Sequence, residues 1–401
     1  MPNRVSRREL LAGAIGAAAI PSAAGRAGAQ SGDTTSRPGS GASPRGERSP
    51  HVTIRRDARG PVASRTPLQD LQGTITPSDL HFERHHAGIP AVDPDDYRLL
   101  VHGMVERPMV FTLADLKRFP ATSRICFLEC SGNYPTGAGP ETKPEGVCGM
   151  TSTTEWTGVS LATLFREVGA SPDATWFLAE GQDAAVMTRS VPMEKARDDA
   201  FVAYAQNGEA LRPGQGYPAR LLLPGWEGNS NVKWLRRIEL ADRPFMTREE
   251  TSKYTDPLAD GTARQFSFVF DARSIITAPA WPDVVEPGWI ELRGIAWSGR
   301  GAIARVEVST DGGGTWQEAR LQGPVLRQAH TRFRHLWRWD GAETEIMSRA
   351  VDDTGYVQPT RTALRAVRGR RARRYHLNPI TAWRIRPSGQ VEYRVEEPWD
   401  A

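Results

Sequence analysis

The stretch Phe127-Leu128-Glu129-Cys130-Ser131-Gly132-Asn133 decides the fold of this chain and contains its most informative residue, Cys130. Residues 125–130 form a run typical of a buried strand, and Ser131-Gly132-Asn133 is a turn signal. We therefore expect Cys130 to lie at the end of a strand, a position that a scaffold holds rigidly and that loops can surround. Because thiolates are metal ligands, Cys130 is the obvious anchor for a cofactor.

The amino terminus has the features of an export signal used by proteins that cross a membrane already folded around a cofactor. The twin arginine Arg7-Arg8 precedes an apolar run at residues 10–20, and the cleavage pattern Ala27-Gly28-Ala29 follows. The apolar run is too short to span a bilayer, which needs about 20 residues. We expect residues 1–29 to be a cleaved twin-arginine signal peptide, and the mature protein to be periplasmic with no membrane span. The alternative is an uncleaved anchor.

Cysteine usage argues against a fold built on disulfides, which would need more cysteines and an even number of them. The chain has only Cys126, Cys130 and Cys148. In an oxidising compartment the odd thiol is exposed to oxidation unless a metal bond occupies it. A zinc site is disfavoured, because there is no C-x-x-C motif. A buried structural thiol remains an alternative, and a disulfide between Cys148 and Cys126 or Cys130 stays open.

Length and composition are typical of a globular protein with two domains. The 401 residues, 39% of them hydrophobic, are enough for two cores. Residues 30–67 are rich in Gly, Ser, Pro, Thr and Arg without apolar periodicity, which predicts a flexible leader. Residues 1–29 carry most of the formal net charge of +4. No basic stripe interleaved with aromatic residues occurs, so the sequence argues against a nucleic-acid partner.

Residues 68–247 mix strand and helix signals, which predicts an α+β domain with irregular loops. Thr112 can cap a short helix that has Asp115 in its first turn. Further helix signals lie at residues 161–168 and 192–196. Strand signals lie at residues 97–101, 125–130, 176–179 and 219–223.

Residues 260–385 predict a second, all-β domain, because strand signals repeat there with few helix signals. Arg305-Val306-Glu307-Val308-Ser309 alternates apolar and polar residues, and Asp311-Gly312-Gly313 turns the chain back. Short strands separated by turns are typical of an immunoglobulin-like β-sandwich. This domain shows no cluster of candidate catalytic groups, and residues 386–401 are predicted to be a C-terminal tail.

Five motifs occur in a characteristic order along the chain, and together they are specific although each alone is weak. They are His81-Phe82-Glu83-Arg84-His85-His86, Leu128-Glu129-Cys130-Ser131-Gly132-Asn133, Ala203-Tyr204-Ala205-Gln206-Asn207-Gly208, Pro218-Ala219-Arg220-Leu221 and Asn231-Val232-Lys233-Trp234-Leu235, with Tyr375-His376-Leu377-Asn378 near the end. From about Leu80 onward the chain resembles the sulfite oxidase family of molybdenum enzymes, and within it the molybdenum subunits of bacterial Sox sulfur-oxidising systems. The resemblance implies a sulfite oxidase fold followed by an immunoglobulin-like dimerisation domain.

The resemblance implies that Cys130 is the thiolate ligand of molybdenum, in a coordination sphere that also holds the dithiolene of molybdopterin. Cationic residues would bind the phosphate tail of the pterin, and Arg220, set between apolar residues of a strand, needs a buried anionic partner. For the other charged residues a surface ion pair is the alternative. The implied cofactor-binding residues are Phe82, Arg84, His86, Cys130, Asp183, Arg220, Asn231 and Lys233.

Two residues besides Cys130 acquire implied catalytic roles. Tyr204 matches the tyrosine that faces the metal in the family, where its hydroxyl can donate to a substrate oxyanion or help to manage a proton. The alternative is an ordinary core tyrosine. Arg84 is near the substrate in relatives and can serve both the cofactor and an anionic substrate.

The chain departs from the family pattern at positions that concern the substrate. Where sulfite oxidases carry paired arginines after the cysteine motif, this chain has Tyr134 and Pro135. Glu129 also differs, and Gln215 stands where relatives carry a cofactor-binding histidine. The clamp for a small anion is therefore reduced, which favours a bulkier or less densely charged substrate such as a protein-bound cysteine sulfane.

The implied function is a periplasmic molybdenum dehydrogenase that oxidises a sulfur substrate with water as the oxygen source. The sequence has no C-x-x-C-H haem motif and no flavin or nicotinamide fingerprint. Electrons would therefore leave through a separate partner. The resemblance implies that this partner is a dihaem cytochrome c subunit, and that the chain forms a homodimer within a heterotetramer. The substrate would be a sulfur carrier protein or a small sulfur oxyanion. The alternatives are a stand-alone sulfite dehydrogenase and a cofactor-free periplasmic binding protein whose binding function lies in the sandwich domain.

We predict that Arg7→Lys combined with Arg8→Lys leaves the protein in the cytoplasm, because the arginine pair is the address that the folded-protein export pathway reads. Cell fractionation followed by immunoblotting measures the outcome. Arg26→Lys, in the same segment but outside the pair, is the matched control and should be exported normally. A normal periplasmic yield of cofactor-loaded double variant would count against the signal.

Overall fold

The computed structural model of the chain describes residues 41, 46–135, 137–369 and 375–395. From Ile54 onward the described chain forms one compact unit. The predicted signal peptide, much of the predicted leader and residues 396–401 of the predicted tail lie outside the described residues. Within these described ranges no helix is both long enough and apolar enough to cross a membrane.

Regular structure begins before residue 68, which is earlier than the sequence predicts. The strands Asp57–Ala58 and Ala63–Arg65 pair antiparallel with each other, and the second also pairs with Glu83–Arg84. These short strands pair through backbone hydrogen bonds, so they leave no apolar periodicity in the sequence. The prediction of a flexible leader that extends to residue 67 is wrong for these strands.

The first domain contains two five-stranded sheets with short helices packed around them. One sheet consists of Ala121–Glu129, Thr151–Ser160, Phe201–Gln206, Glu209–Ala210 and Arg220–Leu222. The other consists of Met109–Phe111, Leu99–Gly103, Leu235–Ala241, Trp176–Gly181 and Thr188–Pro192, in that order, and only the pair Leu99–Gly103 with Leu235–Ala241 is parallel. The helices are Leu113–Arg118, Pro144–Cys148, Leu161–Glu167 and Met193–Asp198.

One apolar core joins these two sheets and the helices. Val159 and Leu221 of the first sheet, Phe177 and Ile238 of the second, and Leu164 of a helix belong to the same buried cluster. The predicted helix cap is confirmed, because the Thr112 and Asp115 side chains each bond the other's backbone N–H in a capping box.

The second domain is an eight-stranded antiparallel sheet that folds over into a sandwich. Its strands are Arg273–Ala278, Gly288–Trp297, Thr331–Trp339, Gln317–Gln322, Ile303–Ser309, Thr344–Asp352, Ala382–Ile385 and Val391–Tyr393, in the order of pairing. Trp297, Trp339 and Trp383 lie in its common core. The predicted fold class, a mixed α+β domain followed by a β-sandwich, is confirmed.

Short elements connect and follow the two domains. A π-helical turn, Glu249–Lys253, is followed by the paired strands Asp256–Pro257 and Ala263–Arg264. The helix Arg361–Arg368 follows the sandwich strands and precedes Ala382–Ile385. Single 3-10 turns occur at Gly60–Val62, Ser78–Leu80, Pro213–Gln215 and Gly228–Ser230.

The strand Ala121–Glu129, which we call the cysteine strand, packs between the two domains. Cys126 and Leu128 belong to a cluster of the first domain, whereas Phe127 belongs to the core of the sandwich. The Phe127 N–H also donates to the Gln328 carbonyl at 2.7 Å. Because side chains alternate along a strand, Glu129 points toward the sandwich and Cys130, in the loop that follows, points away from it.

Candidate active site

A cavity of about 380 Å³ lies at the end of the cysteine strand. Eight residues that the sequence analysis assigns to cofactor binding line it: Phe82, Arg84, His86, Cys130, Asp183, Arg220, Asn231 and Lys233. Gln215, which departs from the family pattern, lines it as well. The structure therefore brings these residues together from five separate stretches of the chain.

The ends of the strands of the first domain position these side chains. Cys130 directly follows the cysteine strand, Arg84 ends a short strand, and Arg220 begins the strand Arg220–Leu222. Asp183 lies two residues beyond the strand Trp176–Gly181, and its Oδ1 accepts a hydrogen bond from the Met187 N–H at 3.2 Å. Each of these side chains lines the cavity from the end of a strand or from the residues that follow it.

Cys130 is half-buried, and all three cysteines are free thiols. The disulfide left open by the sequence is therefore not formed. Burial raises the pKa of the Cys130 thiol, while the Gly132 N–H and the Arg84 guanidinium favour the thiolate. Bonding to a metal ion removes the proton from such a thiol. In the described part of the chain no group of three or more His, Cys, Asp or Glu is arranged to hold a metal ion.

Arg220, which is buried, and Lys233, which is half-buried, are cations held by neutral groups. The Arg220 guanidinium donates to the carbonyls of Gln215 and Asn231 at 3.0 and 2.8 Å. The Lys233 ammonium donates to the Gly214 carbonyl at 3.0 Å and to the Arg84 carbonyl at 3.1 Å. Its Nζ also lies 2.7 Å from His85 Nδ1.

Neither cation forms a salt bridge with a carboxylate of the described residues, and the pKa values reflect this. Burial lowers the pKa of Arg220 to about 9 and that of Lys233 well below its ordinary value. A buried charge without a counter-ion is costly, so both residues favour an anion in the cavity. This is the anionic partner that the sequence analysis requires for Arg220.

Gln215 and His86 make contacts that hold the cavity wall in place. Gln215 Nε2 donates to the Phe82 carbonyl at 2.8 Å, so its amide fixes the segment that carries Arg84. His86 Nε2 lies 2.9 Å from the Tyr254 hydroxyl. Burial lowers the pKa of His86, so its ring is neutral near pH 7 and can accept this hydrogen bond.

Tyr204 does not line the cavity, whereas Tyr254 does. Phe201 and Ala203 pack in the cluster beside Cys130, so the strand alternation turns Tyr204 to the opposite face, where its ring lies 6.0 Å from Lys117 Nζ. The structure thus corrects the placement expected for Tyr204. Tyr254 was missed because it follows a π-helical turn and lies between the two predicted domains, 68–247 and 260–385, where the sequence predicts no site residue.

Tyr134, at the position of one of the missing arginines, packs away from the cavity. It is buried against Leu364 and Leu377, and its hydroxyl accepts a hydrogen bond from Arg361 at 2.5 Å. Two exposed cations that the sequence analysis missed, Arg248 and Lys253, line the cavity from the π-helical turn. No apolar period marks this turn, so no local signal identifies them.

A buried network of charges lies behind Tyr254. His376 Nε2 is 2.6 Å from Glu227 Oε2, and its Nδ1 is 3.1 Å from Asp256 Oδ2. Arg189 contacts Glu227 and Arg368 contacts Asp256, each at 3.0 Å. Burial alone would lower the pKa of His376, but the two carboxylates outweigh it and raise that pKa to about 9.

The comparisons with known proteins agree with this geometry. Residues 86–249 match the oxidoreductase molybdopterin binding domain, and residues 264–382 match the Mo-co oxidoreductase dimerisation domain. The chain is 31% identical to Sulfite oxidase, mitochondrial of Rattus norvegicus over 82% of this chain and 66% of that protein. It is 31% identical to Sulfite oxidase of Gallus gallus over 78% of this chain and 74% of that protein. The chain thus spans about two thirds of the length of several curated sulfite oxidases that it matches.

A solved structure is similar over nearly its full length. The crystal structure of the sulfane dehydrogenase SoxCD from Paracoccus pantotrophus contains a chain with 45% sequence identity and a TM-score of 0.82. The match covers 88% of this chain and 96% of that chain.

The raised pKa of His376 predicts a specific dependence of stability on pH. The folded-state pKa lies near 9, against 6.5 for an unperturbed histidine, so the stabilising charge is fully present below about pH 6.5. It is lost as the pH rises through about 9. The difference in Tm between wild type and His376→Gln should therefore be largest below pH 6.5 and narrow above pH 9, as measured by calorimetry.

His335→Gln, in the sandwich, is the matched control, because burial lowers the pKa of His335 rather than raising it. Its Tm difference from wild type should not narrow in the alkaline range. If the Tm difference between wild type and His376→Gln also stayed constant as the pH rose through 9, His376 would not be held as a cation.

Proposed function

We propose that this chain, which belongs to the sulfite oxidase family of molybdenum oxidoreductases, is the molybdenum subunit of a Sox-type sulfane dehydrogenase. It oxidises sulfur carried on a protein and passes the electrons to a cytochrome c subunit. The observation that carries the proposal is the cavity that joins the Cys130 thiol to Arg220 and Lys233, two cations that form no salt bridge with any carboxylate of the described residues. The 45% identity to the SoxCD structure supports the choice within the family.

The cavity fits a molybdenum–molybdopterin cofactor. Cys130 provides a soft sulfur ligand, and Arg220 and Lys233 provide the positive charge that balances an anionic pterin tail. When bound, the cofactor supplies a two-electron oxidation in which water is the oxygen source. The match of residues 86–249 to a molybdopterin-binding domain sets aside the alternative of a cofactor-free binding protein.

At the cavity wall, Tyr254 donates hydrogen bonds and His86 accepts the proton that turnover releases. Burial raises the pKa of Tyr254, so its hydroxyl stays protonated and remains a donor. The hydroxyl lies 2.9 Å from His86 Nε2 and can donate either to that nitrogen or to an oxygen of the substrate. His86, neutral near pH 7, can then take up a proton released during turnover.

Arg84, Arg248 and Lys253 line the same cavity and attract an anionic sulfur group. The two on the π-helical turn are exposed, so solvent screens them more than it screens Arg84. Because Tyr134 and Pro135 are uncharged, no cation directly follows the cysteine motif. This arrangement supports a sulfur group that is delivered by a larger carrier rather than a small dianion that must be clamped on all sides.

The proposed location and partners follow from the same assignment. The protein is exported folded through the twin-arginine pathway and acts in the periplasm. It pairs with a SoxD-type dihaem cytochrome c subunit, and the sandwich domain joins two copies into a homodimer within a heterotetramer. The dimerisation-domain match at residues 264–382 supports the pairing of two copies, and the SoxCD match supports a second kind of subunit.

A stand-alone sulfite dehydrogenase is the second candidate, because the chain is also 31% identical to sulfite oxidases. The two candidates differ in substrate rather than in cofactor. Their discrimination therefore requires kinetics and cannot rest on metal content.

We predict that the isolated subunit turns over free sulfite poorly. A charge-assisted hydrogen bond contributes about 1.5 to 3 kcal/mol. Tyr134 and Pro135 replace the paired arginines of sulfite oxidases and cannot make such bonds. At about 1.4 kcal/mol per decade, each arginine contact that is missing lowers kcat/KM for sulfite about 10- to 100-fold. Steady-state kinetics should compare sulfite alone with the reconstituted system of subunit, dihaem cytochrome and sulfur-loaded carrier protein.

The control uses the same enzyme preparation, normalised to bound molybdenum, in both assays. Full activity only with the cytochrome and the loaded carrier supports the sulfane dehydrogenase. A fast reaction with tightly bound sulfite would instead identify a plain sulfite dehydrogenase.

A further inference from the structure

We propose that Glu129 is a positioning residue for Cys130, and that the sandwich domain holds it in place through Arg273 and Trp297. The sandwich strands would then orient the metal ligand although, among the described residues, the second domain contributes only Tyr375, from a connecting segment, to the cavity lining. The inference rests on the proposed role of Cys130 as the metal ligand.

Glu129 is buried at the junction of the two domains, with 1% of its surface exposed. Its Oε1 accepts hydrogen bonds from Arg273 Nη1 at 3.1 Å and from Asn133 Nδ2 at 2.9 Å. Its Oε2 accepts from Trp297 Nε1 at 2.6 Å. Two of these three donors come from the sandwich strands Arg273–Ala278 and Gly288–Trp297.

Arg273 also closes the loop that carries the cysteine. Residues 130–133, which we call the cysteine loop, end at Asn133, whose carbonyl accepts from the same Arg273 nitrogen at 2.5 Å. The Asn133 side chain returns to Glu129 and also accepts from the Met150 N–H at 2.9 Å. One guanidinium therefore bridges the residue before the loop and the last residue within it.

This geometry fixes the direction of Cys130. Neighbouring side chains of a strand point to opposite faces, so anchoring Glu129 toward the sandwich aims the next residue into the cavity. The Cys130 N–H donates to the Met150 carbonyl at 3.0 Å, which holds the backbone at the same point. Rotation of the cysteine loop would have to break the Glu129 contacts first.

A role in stability alone accounts poorly for this carboxylate. A buried ion pair is expensive to desolvate, and apolar residues of similar volume are often at least as stable. Glu129 is 1% exposed and pairs with the similarly buried Arg273 at 3.1 Å, so the site carries the cost of burying two charged side chains. A hydrogen-bonded anchor beside a metal ligand offers in return a fixed orientation of that ligand.

The test uses the cofactor-loaded enzyme and compares Glu129→Gln, Arg273→Met and the double variant with wild type. Glu291→Gln is the matched control, because Glu291 forms an exposed ion pair with Arg334 at 3.0 Å in the same sandwich. Four kinds of measurement are made: bound molybdenum; Tm; the steady-state constants with the substrate that wild type turns over, kcat and KM; and the g values of the Mo(V) EPR signal after partial reduction with dithionite.

We expect Glu129→Gln to lower kcat per bound molybdenum about 10- to 100-fold, the usual effect of losing a residue that orients a ligand. KM should change little, and the g values should shift because the sulfur ligand is reoriented. The double variant should lose no more activity than the more affected single variant, since both changes break the same contact. The control should match wild type in all four kinds of measurement.

Unchanged g values and unchanged kcat per molybdenum in Glu129→Gln would overturn the proposal, even if Tm or metal content fell. Should Glu129→Gln fail to fold, Trp297→Phe removes one hydrogen bond and keeps most of the volume. It should then shift the g values in the absence of any large loss of Tm, and unshifted g values would overturn the proposal equally. Wild type without molybdenum would instead contradict the proposed function itself.

Discussion

The site depends on the packing of the cysteine strand against two cores at once. Leu128 faces the cluster beside the cavity, while Phe127 lies in the core of the sandwich. A strand has a period of two, so a slip of one residue would bury Leu128 in the wrong core and turn Cys130 toward the sandwich. Two apolar cores therefore fix the register, and the register fixes where the thiol points.

The second constraint is electrostatic. Arg220 is buried and Lys233 half-buried, and neither has a carboxylate partner in the described structure, so the protein without its cofactor carries the cost of desolvating two cations that no anion compensates. An anion that binds there relieves the cost and stabilises the fold, because any ligand that binds the native state selectively does so. Binding of the cofactor and stability of the first domain are thus coupled, and this coupling suits the export in the folded state that we propose.

The sequence predicted the parts of the site that have local signals. Cys130 ends an apolar run before a turn, and Arg220 is a cation inside an apolar strand, so both were identified from neighbouring residues. Tyr254 follows a π-helical turn without apolar period, and the two partners of Glu129 in the sandwich lie 144 and 168 residues away. Such contacts exist only in the folded chain. Tyr204 was misplaced because a motif match does not specify which face of a strand a residue occupies.

The central claim is that the fold delivers the Cys130 sulfur to molybdenum, and X-ray absorption at the molybdenum K-edge tests it most directly. Wild type and Cys130→Ser should both be isolated with bound cofactor, since Arg220 and Lys233 still hold the anionic tail. We expect molybdenum in the serine variant to have one sulfur neighbour fewer than in wild type, with a lighter atom in its place. An unchanged number of sulfur neighbours, with molybdenum fully bound, would contradict it.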